Sequence, residues 1–167
     1  MKKLLIILTI VLLTGCMPQF GVVGGLVLQG PDEFQKDITE GLDLLRDKAP
    51  EYYDLVIENV RKVWLNKDGD YNGVYDDNSY SMTGEAYKNC QEQEALTTYY
   101  IALTLVHEAV HLNRIKKGVD PGVEADKAKE EWFAVETEKV VAELIDAPQE
   151  IKDWLETVYA SKYWENE

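Results

Sequence analysis

The sequence predicts a mainly α protein: a compact single helical domain with a small β-hairpin or irregular insertion. Three observations lead there. Apolar residues recur at every third or fourth position through five stretches, each opened or closed by proline or glycine. One stretch, residues 66–84, replaces that pattern with turn residues interleaved with tyrosines. The composition is globular, with 46% hydrophobic residues, five prolines and no repeat or low-complexity tract, so a packed core is expected rather than a disordered chain.

The elements follow in chain order. Residues 1–15 open with Lys2 and Lys3 and continue in an apolar run from Leu4 to Leu13. That run is too short to span a bilayer as a stable helix and has the layout of a secretory signal peptide. It ends in Leu13-Thr14-Gly15-Cys16, which resembles the lipobox of bacterial lipoproteins. The resemblance implies cleavage before Cys16 and lipidation of its thiol, with the membrane as a partner. Met17 stands where many inner-membrane lipoproteins carry an aspartate, which by the same resemblance favours the outer membrane or periplasmic face of a bacterial envelope, or the extracellular face if the host has one membrane. Losing 15 of 167 residues leaves 152, enough for one domain.

Residues 16–30 read as the lipidated cysteine and a glycine-rich apolar tether, with a strand that opens the fold as the alternative. The domain proper is expected over 31–167. Its first helix follows Pro31, with Phe34, Ile38, Leu42 and Leu45 at helical spacing and Asp32 and Glu33 at the positive end of the helix dipole. Pro50 opens a second helix over 50–65, with Tyr53, Val56, Val60 and Trp64 along one side. After the turn-rich stretch, a third helix is expected from about Gln93 to Lys117, capped by Gly118. A fourth runs from about Val123 to Asp146. Pro148 opens a fifth, with Ile151, Trp154, Leu155 and Val158 facing inward.

The third helix contains both histidines of the chain, as His107-Glu108-Ala109-Val110-His111. Residues four apart on a helix lie on one face, so both imidazoles can reach one tetrahedral ion. Glu108 points about 100° away from His107, near enough to take a proton from a water at the ion without ligating it. The flanking Leu103, Leu105, Val106, Ala109, Val110 and Leu112 are apolar, so the helix is buried and an unpartnered histidine pair there would be costly. This HExxH constellation resembles the zincin metallopeptidases. The resemblance implies zinc as cofactor, a peptide or protein substrate, and Glu108 as the general base of peptide or amide hydrolysis.

A third histidine is absent and Cys90 has no zinc-like spacing, so a carboxylate is the remaining ligand type, as in the gluzincins. The fourth helix offers Glu131, twenty residues after His111, at the head of Glu131-Trp132-Phe133-Ala134, which is similar to the Glu-x-x-Ala motif of small gluzincin-like domains. Glu138, seven residues on, shares its face and is the alternative metal ligand, with Glu130 behind it. Most other acids of this helix are expected on a solvated face. A buried stripe bearing Glu124, Glu131 and Glu138 would be costly unless it served a metal. The aspartate that gluzincins place four residues beyond the ligand is replaced by Val135, so the group that orients the histidines must come from elsewhere.

Asp68, Asp70, Asn72, Gly73 and Asp76 fall on an EF-hand pattern, but Ser79 stands where a bidentate glutamate belongs, and a hairpin turn on Asn72-Gly73 explains the same residues. Tyr100 and Tyr80 are the candidate oxyanion stabilisers, for want of another histidine, with packing as the ordinary role of each. The net charge of −14, or −16 once Lys2 and Lys3 leave with the leader, argues against a nucleic-acid partner. The sequence thus describes a lipid-anchored zinc metallopeptidase-like domain. Its alternative is a structural or binding lipoprotein that holds zinc without turnover.

Overall fold

A computed structural model describes residues 19–69, 72–75, 77–119 and 124–161. Cys16 and the leader lie outside these residues, as do Asp70, Tyr71, Asp76, Tyr163 and Trp164. The chain is mainly α, with six α-helices and one five-stranded sheet among the described residues. No helix among them is long and apolar enough to cross a membrane.

The sheet begins where a tether was expected. Phe20–Val23 (β1) and Leu26–Gln29 (β2) pair antiparallel across Gly24 and Gly25, both at positive φ, the two-residue turn that glycines permit. The tether reading is therefore corrected for residues 20–29. Helix α1 (Asp32–Lys48) then buries Phe34, Ile38, Leu42 and Leu45, the expected stripe. Helix α2 (Pro50–Asn59) is shorter than expected, because Asn59 Nδ2 donates to the Leu55 carbonyl at 2.8 Å and Val60 turns extended. Lys62–Asn66 becomes strand β3 instead of the helix end. Gly73–Tyr75 (β4) and Ser79–Thr83 (β5) complete the sheet in the order β1-β2-β3-β5-β4, with β2, β3 and β5 mutually parallel.

Register decides which side of the sheet is core. Leu28, Val63 and Tyr80 align across three strands, with Leu26, Leu65 and Met82 on the same face by the two-residue period. That face meets the helices. Lys62, Trp64, Ser79, Ser81 and Thr83 alternate to the other side.

The turn-rich stretch is a hairpin, but its turn is not Asn72-Gly73. Asp77 and Asn78 are in a turn before β5, with Asn78 at φ 62° and its N–H donating to the Tyr75 carbonyl at 3.0 Å, while Gly73 is already paired in β4. Asn72 turns its amide oxygen inward to Tyr80 and Thr83. Of the residues on the EF-hand pattern, Asp70 and Asp76 lie outside the described residues, while Gly73 is paired in the sheet and Asn72 bonds to β5.

Thr83 then caps α3 (Gly84–Gln91), accepting from Ala86 N–H at 3.1 Å. This short helix has no counterpart in the sequence expectation. A single turn at 94–96 leads into α4 (Thr97–Lys116), which starts four residues later than expected. It ends as expected, at Gly118 with φ +88° and the Val119 N–H returning to the Arg114 carbonyl. Helices α5 (Glu124–Leu144) and α6 (Gln149–Ser161) close the domain. On α6, Ile151 and Leu155 are buried and Val158 half-buried, whereas Trp154 stays 39% exposed with its ring edge-on to Tyr100.

Helix α4 is the axis of the packing, touching α1, α2, α5 and the β4 edge. Gly41 sets how closely α1 approaches it. A Cβ there would lie 2.8 Å from Ile101 Cγ2 and 3.1 Å from the Ala102 backbone nitrogen. Gly41→Ala should therefore destabilise the fold by about 1–3 kcal/mol through overpacking, although alanine is the better helix former by about 1 kcal/mol. Urea denaturation checks this. A variant as stable as the wild type would show that the helices can part without loss.

Candidate metal centre

The site is built where α4 and α5 face each other. His107 and His111, one turn apart on α4, both turn toward Glu131 on α5. The two Nε2 atoms are 3.0 Å apart, and each lies 3.4 Å from a Glu131 carboxylate oxygen. A tetrahedral ion with nitrogen and oxygen ligands at about 2.0–2.1 Å holds its ligand atoms about 3.3 Å apart. The donor set and its spacing therefore fit zinc, and the three residues form one potential metal-holding group.

Glu138 is placed differently from its neighbour. Its Oε2 accepts from His107 Nδ1 at 3.1 Å, on the ring edge away from the converging Nε2 atoms. A proton on Nδ1 leaves Nε2 with its lone pair available, which fixes both tautomer and ring direction. Glu138 thus occupies the place of the histidine-orienting carboxylate, the role left open by Val135, and not that of a ligand. Its side chain is only 6% exposed.

Glu130 serves a third purpose. It is 3% exposed and accepts from Arg114 Nε at 2.5 Å, while the Arg114 guanidinium lies 4.2 Å from the centre of the Phe133 ring. This ion pair ties the end of α4 to α5 one turn beyond His111. Three glutamates of one helix have three jobs: ligand position, histidine orientation and helix clamp.

Electrostatics follow from burial. Glu108 is 6% exposed, and burial pushes its carboxyl up to about 7, with Glu131 and Glu138 adding to the rise and His107 opposing it. For His107, burial works against charge, but Glu138 and Glu131 outweigh it and hold the imidazole well above its usual range. Burial and the charge on His107 push His111 down to about 4. One positive charge, seated between two carboxylates, is what this enclosure favours. A divalent cation meets the same demand more strongly and would draw Glu108 back toward its ionised form.

A cavity of about 300 Å³ opens beside the cluster, lined by His107, Glu108, Glu138, Val135 and Trp154, among others. Neither tyrosine expected as an oxyanion stabiliser lines it among the described residues. Tyr80 is fully buried in β5 and its hydroxyl donates to Asn72 at 3.3 Å. Burial first, then the nearby Glu108, holds that phenol well above its usual range. Tyr100 packs its ring against Trp154 at 5.2 Å. Both are placed as packing residues. Sequence reasoning missed Asn72 and Thr104 in the cavity wall; a lone asparagine in a turn-rich stretch carries no signal of that kind.

Metal analysis of purified protein should find about one zinc per chain, lost in His111→Ala and Glu131→Ala. Glu138→Ala should keep zinc with affinity reduced about 10–100-fold. Complete loss there would make Glu138 a ligand. Separately, Arg114→Met leaves a buried carboxylate without its partner and should cost about 3 kcal/mol in urea denaturation. Comparison of the chain with protein-family models, with curated proteins and with solved structures finds no match.

Proposed function

We propose that the protein is a lipid-anchored, zinc-dependent metallopeptidase-like hydrolase that cleaves peptide or amide bonds outside the cytoplasm. The observation that carries this reading is the convergence of His107 Nε2, His111 Nε2 and a Glu131 carboxylate at 3.0–3.4 Å, with Glu108 on the adjoining cavity wall.

Held by those three residues, zinc would supply Lewis acidity, polarising a carbonyl and acidifying water. The chain's own groups do the rest. Glu108 lies at the cavity, buried enough that its carboxyl titrates near neutrality, so it can accept a proton from water and pass it to a departing amine. Glu138 keeps the His107 ring fixed through the cycle by its bond to Nδ1. Val135, Trp154 and Val158 give the wall an apolar side that sheds water from a bound peptide. Lipid on Cys16 would hold the domain at the bacterial cell envelope, on the outer membrane or its periplasmic face.

Glu108→Gln separates turnover from metal holding. It should retain zinc while lowering cleavage of a fluorogenic peptide library about 10²–10⁴-fold. Zinc retained by a wild-type chain that cleaves nothing would favour a structural zinc-holding lipoprotein instead. For the anchor, labelled palmitate should enter the full chain in a bacterial host and not Cys16→Ser. Equal labelling of the two would remove the lipid from this reading.

A further inference from the structure

Asn72 stands directly before β4, the strand that borders α4, and lines the cavity shared by His107, Glu108 and Glu138. The direction of its amide is settled by its partners. Oδ1 accepts from the Thr83 backbone N–H at 3.2 Å and from the Tyr80 hydroxyl at 3.3 Å. A backbone N–H can only donate, so the atom facing it must be the carbonyl oxygen. Both Nδ2 protons therefore turn away from β5, on the exposed side of the residue. The anchor is rigid, because Tyr80 is fully buried and Thr83 is paired in the sheet.

Bond hydrolysis places negative charge on a carbonyl oxygen, and something must receive it. The cavity wall offers two carboxylates, Glu108 and Glu138, and no Lys or Arg among its described residues. His107 is committed at both nitrogens. The Ser161 hydroxyl donates to the Val158 carbonyl at 2.7 Å, and the Thr104 hydroxyl is free to rotate. Trp154 also brings an indole N–H to the wall, but the Asn72 amide is a donor fixed by two bonds to the sheet before substrate arrives, which is the property that makes a dipole effective toward developing charge.

We propose that Asn72 Nδ2 donates a hydrogen bond to the carbonyl oxygen of a bound peptide, a bond that strengthens as that oxygen becomes anionic. This inference rests on the peptidase reading above. It assigns to an amide the task for which Tyr80 and Tyr100 were the sequence candidates.

The test uses the full zinc-loaded chain and two variants. Asn72→Asp keeps both acceptor bonds to Thr83 and Tyr80 but has no N–H to offer. Asn72→Ala removes anchor and donor together without adding charge. For a library peptide that the wild type cleaves, both should lower kcat about 100-fold with KM changed less than threefold. Both should also bind an N-acetylated phosphinic dipeptide, whose anionic tetrahedral centre imitates the charged carbonyl, at least tenfold more weakly by calorimetry. Zinc content and, for Asn72→Asp, melting temperature should match the wild type. Wild-type cleavage and binding in Asn72→Asp, with loss only in Asn72→Ala, would make Asn72 a purely structural acceptor and overturn the proposal while leaving the peptidase reading intact. A wild-type chain that holds zinc, cleaves nothing and ignores the phosphinate would bring down both.

Discussion

Everything where α4 meets α5 depends on burying carboxylates beside imidazoles. Glu108, Glu130 and Glu138 are nearly inaccessible to solvent, and Glu131 is only slightly less enclosed. Unpaired, such groups would cost several kcal/mol each. Arg114 answers for Glu130, and the histidine pair answers for Glu131 and Glu138. Glu108 has no cation assigned to it alone, and its raised carboxyl records that deficit. A positive charge at the convergence of the two Nε2 atoms balances the group, whether it arrives as a proton or as a metal ion.

The rest of the fold serves to hold α4 still. On one side it packs against α1, close enough that Gly41 can bear no side chain, and α2 lies against it as well. On another side the sheet meets it at the β4 edge, with the Tyr80 phenol close enough to feel the Glu108 charge, and β5 also anchors Asn72 at the cavity rim. Only the face bearing His107 and His111 is left for α5. The histidines are thus aimed by packing on three sides, and their rings are then turned by Glu138.

The legible parts of the fold are those with a single periodicity. Phe34, Ile38, Leu42 and Leu45 admit only a helix, and Gly118 only its end. Val56, Val60 and Trp64 fit a helix, yet Val63, Trp64 and Leu65 form a short apolar run that suits a strand equally well, and the sheet claimed them because β2 and β5 lay on either side. Gly24-Gly25 between apolar pairs was a hairpin signal that a glycine-rich tether imitates. At the site, spacing along α4 and α5 places His107, His111, Glu131 and Glu138 on facing stripes. It does not tell which imidazole nitrogen each carboxylate meets, since that depends on ring rotation. The depth of Tyr80 and the inward amide of Asn72 were illegible for a related reason: both depend on strand order, which joins residues distant in sequence.

The two halves of the metal-holding group sit on either side of a twenty-residue span, from His111 to Glu131. An ion bridging them would be a cross-link as well as a chemical device. It closes a loop of a size for which a disulfide removes about 3 kcal/mol of unfolded-chain entropy. If Cys16 carries lipid as proposed, Cys90 is the sole thiol left and the chain has no covalent staple of its own. The last quarter of the chain, α5 and α6, would then be fastened to the remainder by a clasp whose strength is set by the metal supply.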